Sequence, residues 1–231
     1  MKQIDISKLM RALLLMSLMV ASIPTLAAFA GPEIIDGITY VYDTDTGEAE
    51  VTNGKSCVGE VIIPETITVG EDAYTVTTIG KRSFFDCTTL TSVTIPNSVK
   101  IIGDKAFRQC SGLTSVTIGN SVSSIGIEAF GMCAALKEVH ISDIAAWCNI
   151  DFSDSYANPV RLANLYLGDE LVTDLQIPEG VSLIKLFAFE QVQGIISVKL
   201  PSTITHIDAD AFYECTDIKD VHIPDLSVCL I

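Results

Sequence analysis

The chain has 231 residues, 48% of them hydrophobic, which suits one elongated domain with accessory segments. Its formal net charge is −15, from 14 Lys and Arg against 29 Asp and Glu. That balance argues against nucleic acid and anionic membranes as partners, because neutralising phosphate needs clustered cations. No acidic run is dense enough to form a dedicated tail, so the charge reads as solubility.

Residues 1–30 stand apart. Lys2, Lys8 and Arg11 precede an uncharged apolar run from Ala12 to Ile23, and Pro24 breaks it. Ala28 and Ala30 then place small residues at the −3 and −1 positions before Gly31. This is the order of a secretory signal peptide, with an apolar stretch short for a bilayer span. Cleavage near Ala30 predicts a secreted or cell-surface chain with no membrane-inserted segment. It also removes three cations and one anion, taking the charge from −15 to −17.

Residues 31–78 read as an N-terminal β cap and a first irregular coil. GITYVYDTDTGEAEVTNG alternates apolar residues on either side of an Asp-Thr-Gly turn, which predicts a β-hairpin. Asp43, Asp45 and Gly47, with Glu48 and Glu50, share residue types with a calcium loop. The Gly comes one residue early and no closing Glu stands at the required distance, so a hairpin turn is the simpler reading. Ile63-Pro64 lies sixteen residues before Ile79, leaving nine extra residues at about Val69–Thr77.

Residues 79–231 carry a repeat of 23 residues that starts at Ile79 and Ile102, continues at Ile125, and returns at Ile184 and Ile207. Its pattern is I-G-x-x-A-F-x-x-C-x-x-L-x-x-V-x-I-P. A fixed period of this size marks a solenoid whose units bury their apolar faces on one another. The V-x-I pairs (Val93/Ile95, Val116/Ile118, Val139/Ile141, Val198/Leu200, Val221/Ile223) alternate as short half-buried strands. Pro96, Pro201 and Pro224 end three of them, since Pro cannot donate to a continuing ladder. Phe84, Phe107, Phe130, Phe189 and Phe212 share one position and predict a stacked spine. Cys87, Cys110, Cys133 and Cys215 share another, where the fourth unit has Val192. Interchange with Val indicates a buried apolar slot and a ladder of free thiols. Stacked coils could bring such residues within disulfide range, but parallel side chains would strain the S–S torsion. Cys57, Cys148 and Cys229 fall outside this ladder and are unassigned.

The period breaks from Ser142 to Leu183, with a divergent insertion at about residues 142–176 that contains IAAWCNIDFSDSYANP. Trp147, in an Ile-Ala-Ala-Trp run, is expected to pack on the solenoid. The final VHIPDLSVCLI has no polar capping unit, so the C-terminal end reads as incomplete.

The repeat, the IAAWCNIDF insertion and the opening GITYVYD hairpin together resemble the BspA-like leucine-rich repeats, found on surfaces of oral and gut bacteria and some parasitic protists. The resemblance spans roughly Asp36 to Leu226. It implies a mostly β, right-handed leucine-rich-repeat solenoid of short parallel strands, with the L-x-x-V-x-I strands lining a concave side. It also implies a surface or secreted role in adhesion, with matrix proteins such as fibronectin and fibrinogen among family ligands. No ligand motif is present to transfer.

The residues themselves contain no GxSxG, HExxH, phosphate-cradling Gly loop or zinc-type Cys/His spacing, so no enzyme, cofactor or metal is indicated. Of the three His, His206 is expected to face solvent; His140 and His222 sit outward on the strands, too far apart for a metal pair. The outward strand positions define the candidate ligand-binding strip: Thr94, Thr117, Glu138, His140, Ser197, Lys199, Asp220 and His222. Such a strip suits a host extracellular-matrix or surface protein, or a glycan, bound through many weak contacts. The leading expectation is an exported, non-catalytic binding or adhesion protein. A parallel β-helix polysaccharide enzyme has a similar period but should cluster Asp, Arg or Lys at one outward position; here that position changes from coil to coil. A structural spacer or fragment of a larger surface protein is the other alternative.

Overall fold

The computed structural model describes residues 29–161 and 163–224; most of the signal-peptide segment, Cys229 and the end of VHIPDLSVCLI lie outside the described residues. The N-terminal cap contains the expected hairpin, β2 (Ile38–Asp43) with β3 (Glu48–Asn53), and an outer strand, β1 (Phe29–Ile35), pairs antiparallel with β2. In the turn, the Asp43 carboxylate accepts from the Asp45 and Thr46 amides at 2.8 and 3.2 Å, and Gly47 adopts φ 70°. Asp43 is thus occupied in closing the turn. β4 (Gly59–Ile62) completes the first coil. The residues outside the period fold as a second hairpin, β5 (Thr66–Val69) against β6 (Asp72–Ile79), and β6 then joins β3 in parallel.

Each following unit adds one coil with three sides. β7 (Leu90–Ile95), β9 (Ser115–Ile118) and β11 (Glu138–Ile141) extend a parallel sheet that begins at β4, while β8 (Ile101–Ile102) and β10 (Ser124–Ile125) extend the sheet containing β6. The I-G-x-x-A-F-x-x-C turns form the third side. There the N–H groups of Arg82, Phe84 and Asp86 donate to the carbonyls of Asp104, Ala106 and Arg108 at 3.0, 2.8 and 2.9 Å. Those of Lys105, Phe107 and Gln109 donate to Ile127, Ala129 and Gly131 at 2.9, 2.8 and 2.9 Å. The fourth and eighth residues of each turn, such as Lys105 (φ 57°) and Gln109 (φ 66°), take the left-handed conformation. That costs about 1–2 kcal/mol per residue, which the rail of hydrogen bonds offsets. The second residue is Gly where coils press backbone to backbone: a Cβ on Gly103 would stand 2.7 Å from the Lys81 amide nitrogen.

Inside, Phe84, Phe107 and Phe130 stack at 5.0 and 5.1 Å, and Phe189 and Phe212 at 5.2 Å. The expected five-membered spine is therefore two runs. The insertion separates them, placing Tyr156 where the next turn would lie, so that the Phe130 amide donates to the Tyr156 carbonyl at 3.1 Å. The first run ends on Gly54, where any Cβ would lie 2.0 Å from the Phe84 ring.

The thiol ladder is present, and its chemistry explains the preference for Cys. Each Sγ donates to a carbonyl of the preceding coil: Cys87 to Cys57 at 3.2 Å, Cys110 to Phe84 and Cys133 to Phe107 at 3.1 Å, and Cys215 to Phe189 at 2.9 Å. All six described cysteines are free. Cys57, unassigned from the sequence, is the first rung. Burial raises the thiol of Cys148 to about 12 and that of Cys215 to about 11.

Asp143 caps α1 (Ile144–Cys148), its carboxylate accepting from the Ala145 and Ala146 amides at 2.7 and 3.1 Å. Trp147 is buried as expected, and its Nε1–H donates to the Ala188 carbonyl at 2.7 Å, tying the insertion to the coil beyond it. β12 (Asp151–Phe152) pairs with β10, and after a 3₁₀ turn at Ser155–Ala157, β13 (Asn164–Leu167) pairs with β11. β14 (Glu170–Leu171) then folds back antiparallel on β13 and ends that sheet. The coil sides resume as β15 (Asp174–Gln176), β17 (Ser197–Lys199) and β19 (Asp220–His222), with β16 (Leu183–Ile184) beside β18 (His206–Ile207).

Candidate binding face

Alternation along each short strand turns every second residue away from the core. On the long sheet, Ile62, Thr94, Thr117, His140 and Tyr166 line up across β4, β7, β9, β11 and β13. A second row holds Glu60, Ser92, Ser115, Glu138 and Asn164. On the shorter sheet the rows are Asp174, Ser197, Asp220 and Gln176, Lys199, His222. The structure thus brings together Thr94, Thr117, Glu138 and His140, and separately Ser197, Lys199, Asp220 and His222. The single strip expected from the sequence is two patches, because β14 occupies the edge of β13 on which β15 would have to pair.

Two residues of the long face escaped the repeat reading. Ile62 is 67% exposed, an unusual place for Ile, and Tyr166 stands beside His140. Val61-Ile62-Ile63-Pro64 and Leu165-Tyr166-Leu167 both fit the strand template, so taking their middle residues as outward members would have found them.

The His140 ring stacks on Tyr166 with centroids 4.6 Å apart and planes 16° apart. Its Nδ1 lies 2.8 Å from the Gly168 carbonyl; a carbonyl only accepts, so Nδ1 carries the hydrogen. Nε2 lies 3.6 Å from Glu138 Oε2. The imidazole is therefore fixed on one face by an aromatic ring and at one nitrogen by backbone, leaving its other face turned toward Thr117. On the shorter sheet the Ser197 hydroxyl donates to Asp174, and this bond, with a second from the Gln176 amide, holds the Asp174 carboxyl below the usual range. His206 faces solvent, its Nε2 3.1 Å from Asp208 Oδ1. His140 and His222 lie on different sheets. Among the described residues no three His, Cys, Asp or Glu side chains converge as metal ligands.

The long strands carry Glu60, Glu138 and Glu170 and no Lys or Arg, so this face presents hydroxyls, one aromatic pair and negative charge. Its scaffold is a stack of near-identical coils, and six copies of the BspA type leucine-rich repeat region match residues 58–158 and 163–230. The chain belongs to the BspA-type leucine-rich repeat family. A leucine-rich repeat protein from Bacteroides ovatus is similar at 25% identity and a TM-score of 0.53, over 83% of this chain and 53% of that one. One from Bacteroides capillosus is 30% identical with a TM-score of 0.49, over 59% of this chain and 98% of that one. A leucine-rich cell surface protein from Faecalibacterium prausnitzii is 20% identical with a TM-score of 0.41, over 84% of this chain and 76% of that one. This BspA-type chain spans about half the length of the Bacteroides ovatus protein. No curated protein matches it.

Proposed function

We propose that this BspA-type chain is an exported, non-catalytic binding or adhesion protein that recognises a host surface protein or a glycan through the outward face of its strands. The observation that carries the reading is the long sheet itself. Its face is regular and open, and neighbouring side chains repeat at about 4.8 Å, so that many weak contacts add along one line. Membership of a repeat family supports a binding role over catalysis, and the two patches provide separate surfaces for a partner.

Export rests on the basic start, apolar run and Ala28/Ala30 pattern of residues 1–30. Cleavage after Ala30 removes two residues of β1 and leaves the pairing of Glu33–Ile35 with Ile38–Tyr40 in place. Among the described residues no helix is long and apolar enough to cross a membrane. Binding of the purified mature chain to an array of matrix proteins and glycans tests the function, with His140→Ala for the long face and Lys199→Ala for the short one. Saturable binding that one of these substitutions weakens is the expected result. Turnover of a polysaccharide by the same preparation would replace the binding reading with an enzymatic one.

A further inference from the structure

The long face is not uniform along its outward row. Reading across the strands, side-chain bulk runs large, small, small, large, large: Ile62, Thr94, Thr117, His140, Tyr166. Ile62 and His140 stand three strand spacings apart, about 14 Å between backbones, and between them the sheet is covered only by threonines. The result is a slot of about 520 Å³ running along the strand ends. That volume falls within the range of roughly 300–1,000 Å³ typical of small-ligand clefts.

Three features of the slot specify what it accepts. Its end walls are apolar in different ways, one the exposed Ile62 side chain and the other the free face of the clamped His140 ring. Its floor is hydrogen-bonding and unused. Elsewhere on the coils Thr89, Thr114 and Ser123 donate to backbone carbonyls, and Ser197 to Asp174, whereas the Thr94 and Thr117 hydroxyls make no side-chain hydrogen bond among the described residues. Among the described residues its charged lining groups are the carboxylates of Glu65 and Asp169, with no Lys or Arg.

We infer that this slot binds a neutral oligosaccharide. A pyranose ring combines an apolar C–H face, which the Ile62 and His140 walls match, with a rim of hydroxyls that can both donate to and accept from Thr94 and Thr117. Glu65 and Asp169 add acceptors for sugar hydroxyls at the strand ends. The same carboxylates, on a chain of net charge −15, repel uronates, sulfated glycans and other anions. An extended peptide fits less well: its amides and carbonyls pair with a free sheet edge, and a strand face offers none.

The inference rests on the strand-face reading above and deepens it. Calorimetric titration of the purified chain with cellohexaose, laminarihexaose and manno- and galacto-oligosaccharides, against oligogalacturonate, tests it. Saturable binding of at least one neutral oligosaccharide, and none of the uronate, is expected. Thr117→Phe fills the slot from an outward position and should weaken that binding more than 10-fold. Thr117→Val removes only a hydroxyl and should weaken it about 3- to 10-fold, while Lys81→Ala, on the exposed turn side of the coils, leaves it unchanged. No neutral oligosaccharide binding, or binding indifferent to Thr117→Phe, overturns the inference. If Thr117→Phe instead abolishes capture of a matrix protein while no sugar binds, the saccharide inference fails and the strand-face reading stands. If neither sugar nor protein binding responds to any outward substitution on either sheet, the strand-face reading fails as well.

Discussion

Phe107 provides the sharpest test of how the coils hold together. Its ring is fully buried and stacked on both sides, against Phe84 at 5.0 Å and Phe130 at 5.1 Å. Phe212 has the same place in the repeat but is half-buried and, among the described residues, stacks on Phe189 alone, at 5.2 Å. Truncating a buried Phe to Ala costs about 3–5 kcal/mol, and each stacked pair about 0.5–1.5 kcal/mol beyond area alone. Phe107→Ala should therefore fall at the top of that range, about 4–5 kcal/mol, and Phe212→Ala at roughly half of it. A double-mutant cycle with Phe84→Leu and Phe107→Leu should return a coupling of about 0.5–1.5 kcal/mol, whereas Phe107 with Phe189 should add within about 0.5 kcal/mol because the insertion separates them. Urea unfolding followed by far-ultraviolet circular dichroism reads the costs, and amide exchange reports whether the two halves still unfold together. Equal costs at Phe107 and Phe212, or coupling between Phe107 and Phe189 as large as that between Phe84 and Phe107, would refute nearest-neighbour stacking.

Other expectations follow from the same geometry. Gly103→Ala drives a Cβ to 2.7 Å from the Lys81 amide nitrogen and 2.9 Å from the Gly80 carbonyl carbon, both backbone. It should cost about 1–3 kcal/mol or more in thermal unfolding, and Gly131→Ala, whose Cβ would meet nothing closer than 3.3 Å, should cost clearly less. Under native conditions iodoacetamide should modify the half-buried Cys133 and Cys215 before Cys87, Cys110 and Cys148, as mass spectrometry of peptides will show; early labelling of Cys110 contradicts the ladder. Ser197→Ala removes the main cause of the lowered Asp174 pKa, so carboxyl NMR should find it moved up toward the ordinary carboxylate range. A depressed folded-state pKa stabilises above the unfolded value and loses that contribution as pH falls through the folded one. The substitution should thus lower stability at neutral pH, and its difference from the parent chain should shrink as pH falls below about 4, where the parent loses the same contribution.

The period was legible because it is enforced at every coil by the same contacts. Phe, Cys and the V-x-I pair each face an identical neighbour 23 residues away, so one-dimensional spacing reports three-dimensional stacking. Trp147 was legible for a simpler reason, since its apolar surroundings required burial. The division of the binding face was not, because it depends on Glu170 and Leu171 turning back to pair with β13, a two-residue strand with almost no sequence signature. Cys57 was missed because its coil replaces the usual Phe with Gly54, which hides the template while preserving the packing. Ile62 looked like an ordinary apolar residue, although Val61-Ile62-Ile63-Pro64 fits the V-x-I-P template, and its pairing with Thr94 shows that it faces outward.

The hydrogen-bond rail along the turns gives the molecule a direction. Arg82, Phe84 and Asp86 donate forward to residues 22 positions on, and Lys105, Phe107 and Gln109 do the same to the next coil, so at the fourth, sixth and eighth positions of these turns every amide points to the same rim. A coil inserted backwards would turn these amides away from the carbonyls that receive them. Insertions within a turn keep the rail only if they preserve the spacing of the left-handed residues, whereas extra residues between coil sides, such as the β5–β6 hairpin, leave it intact. Copying one complete coil would therefore extend the outward face by about 4.8 Å without disturbing what is already built.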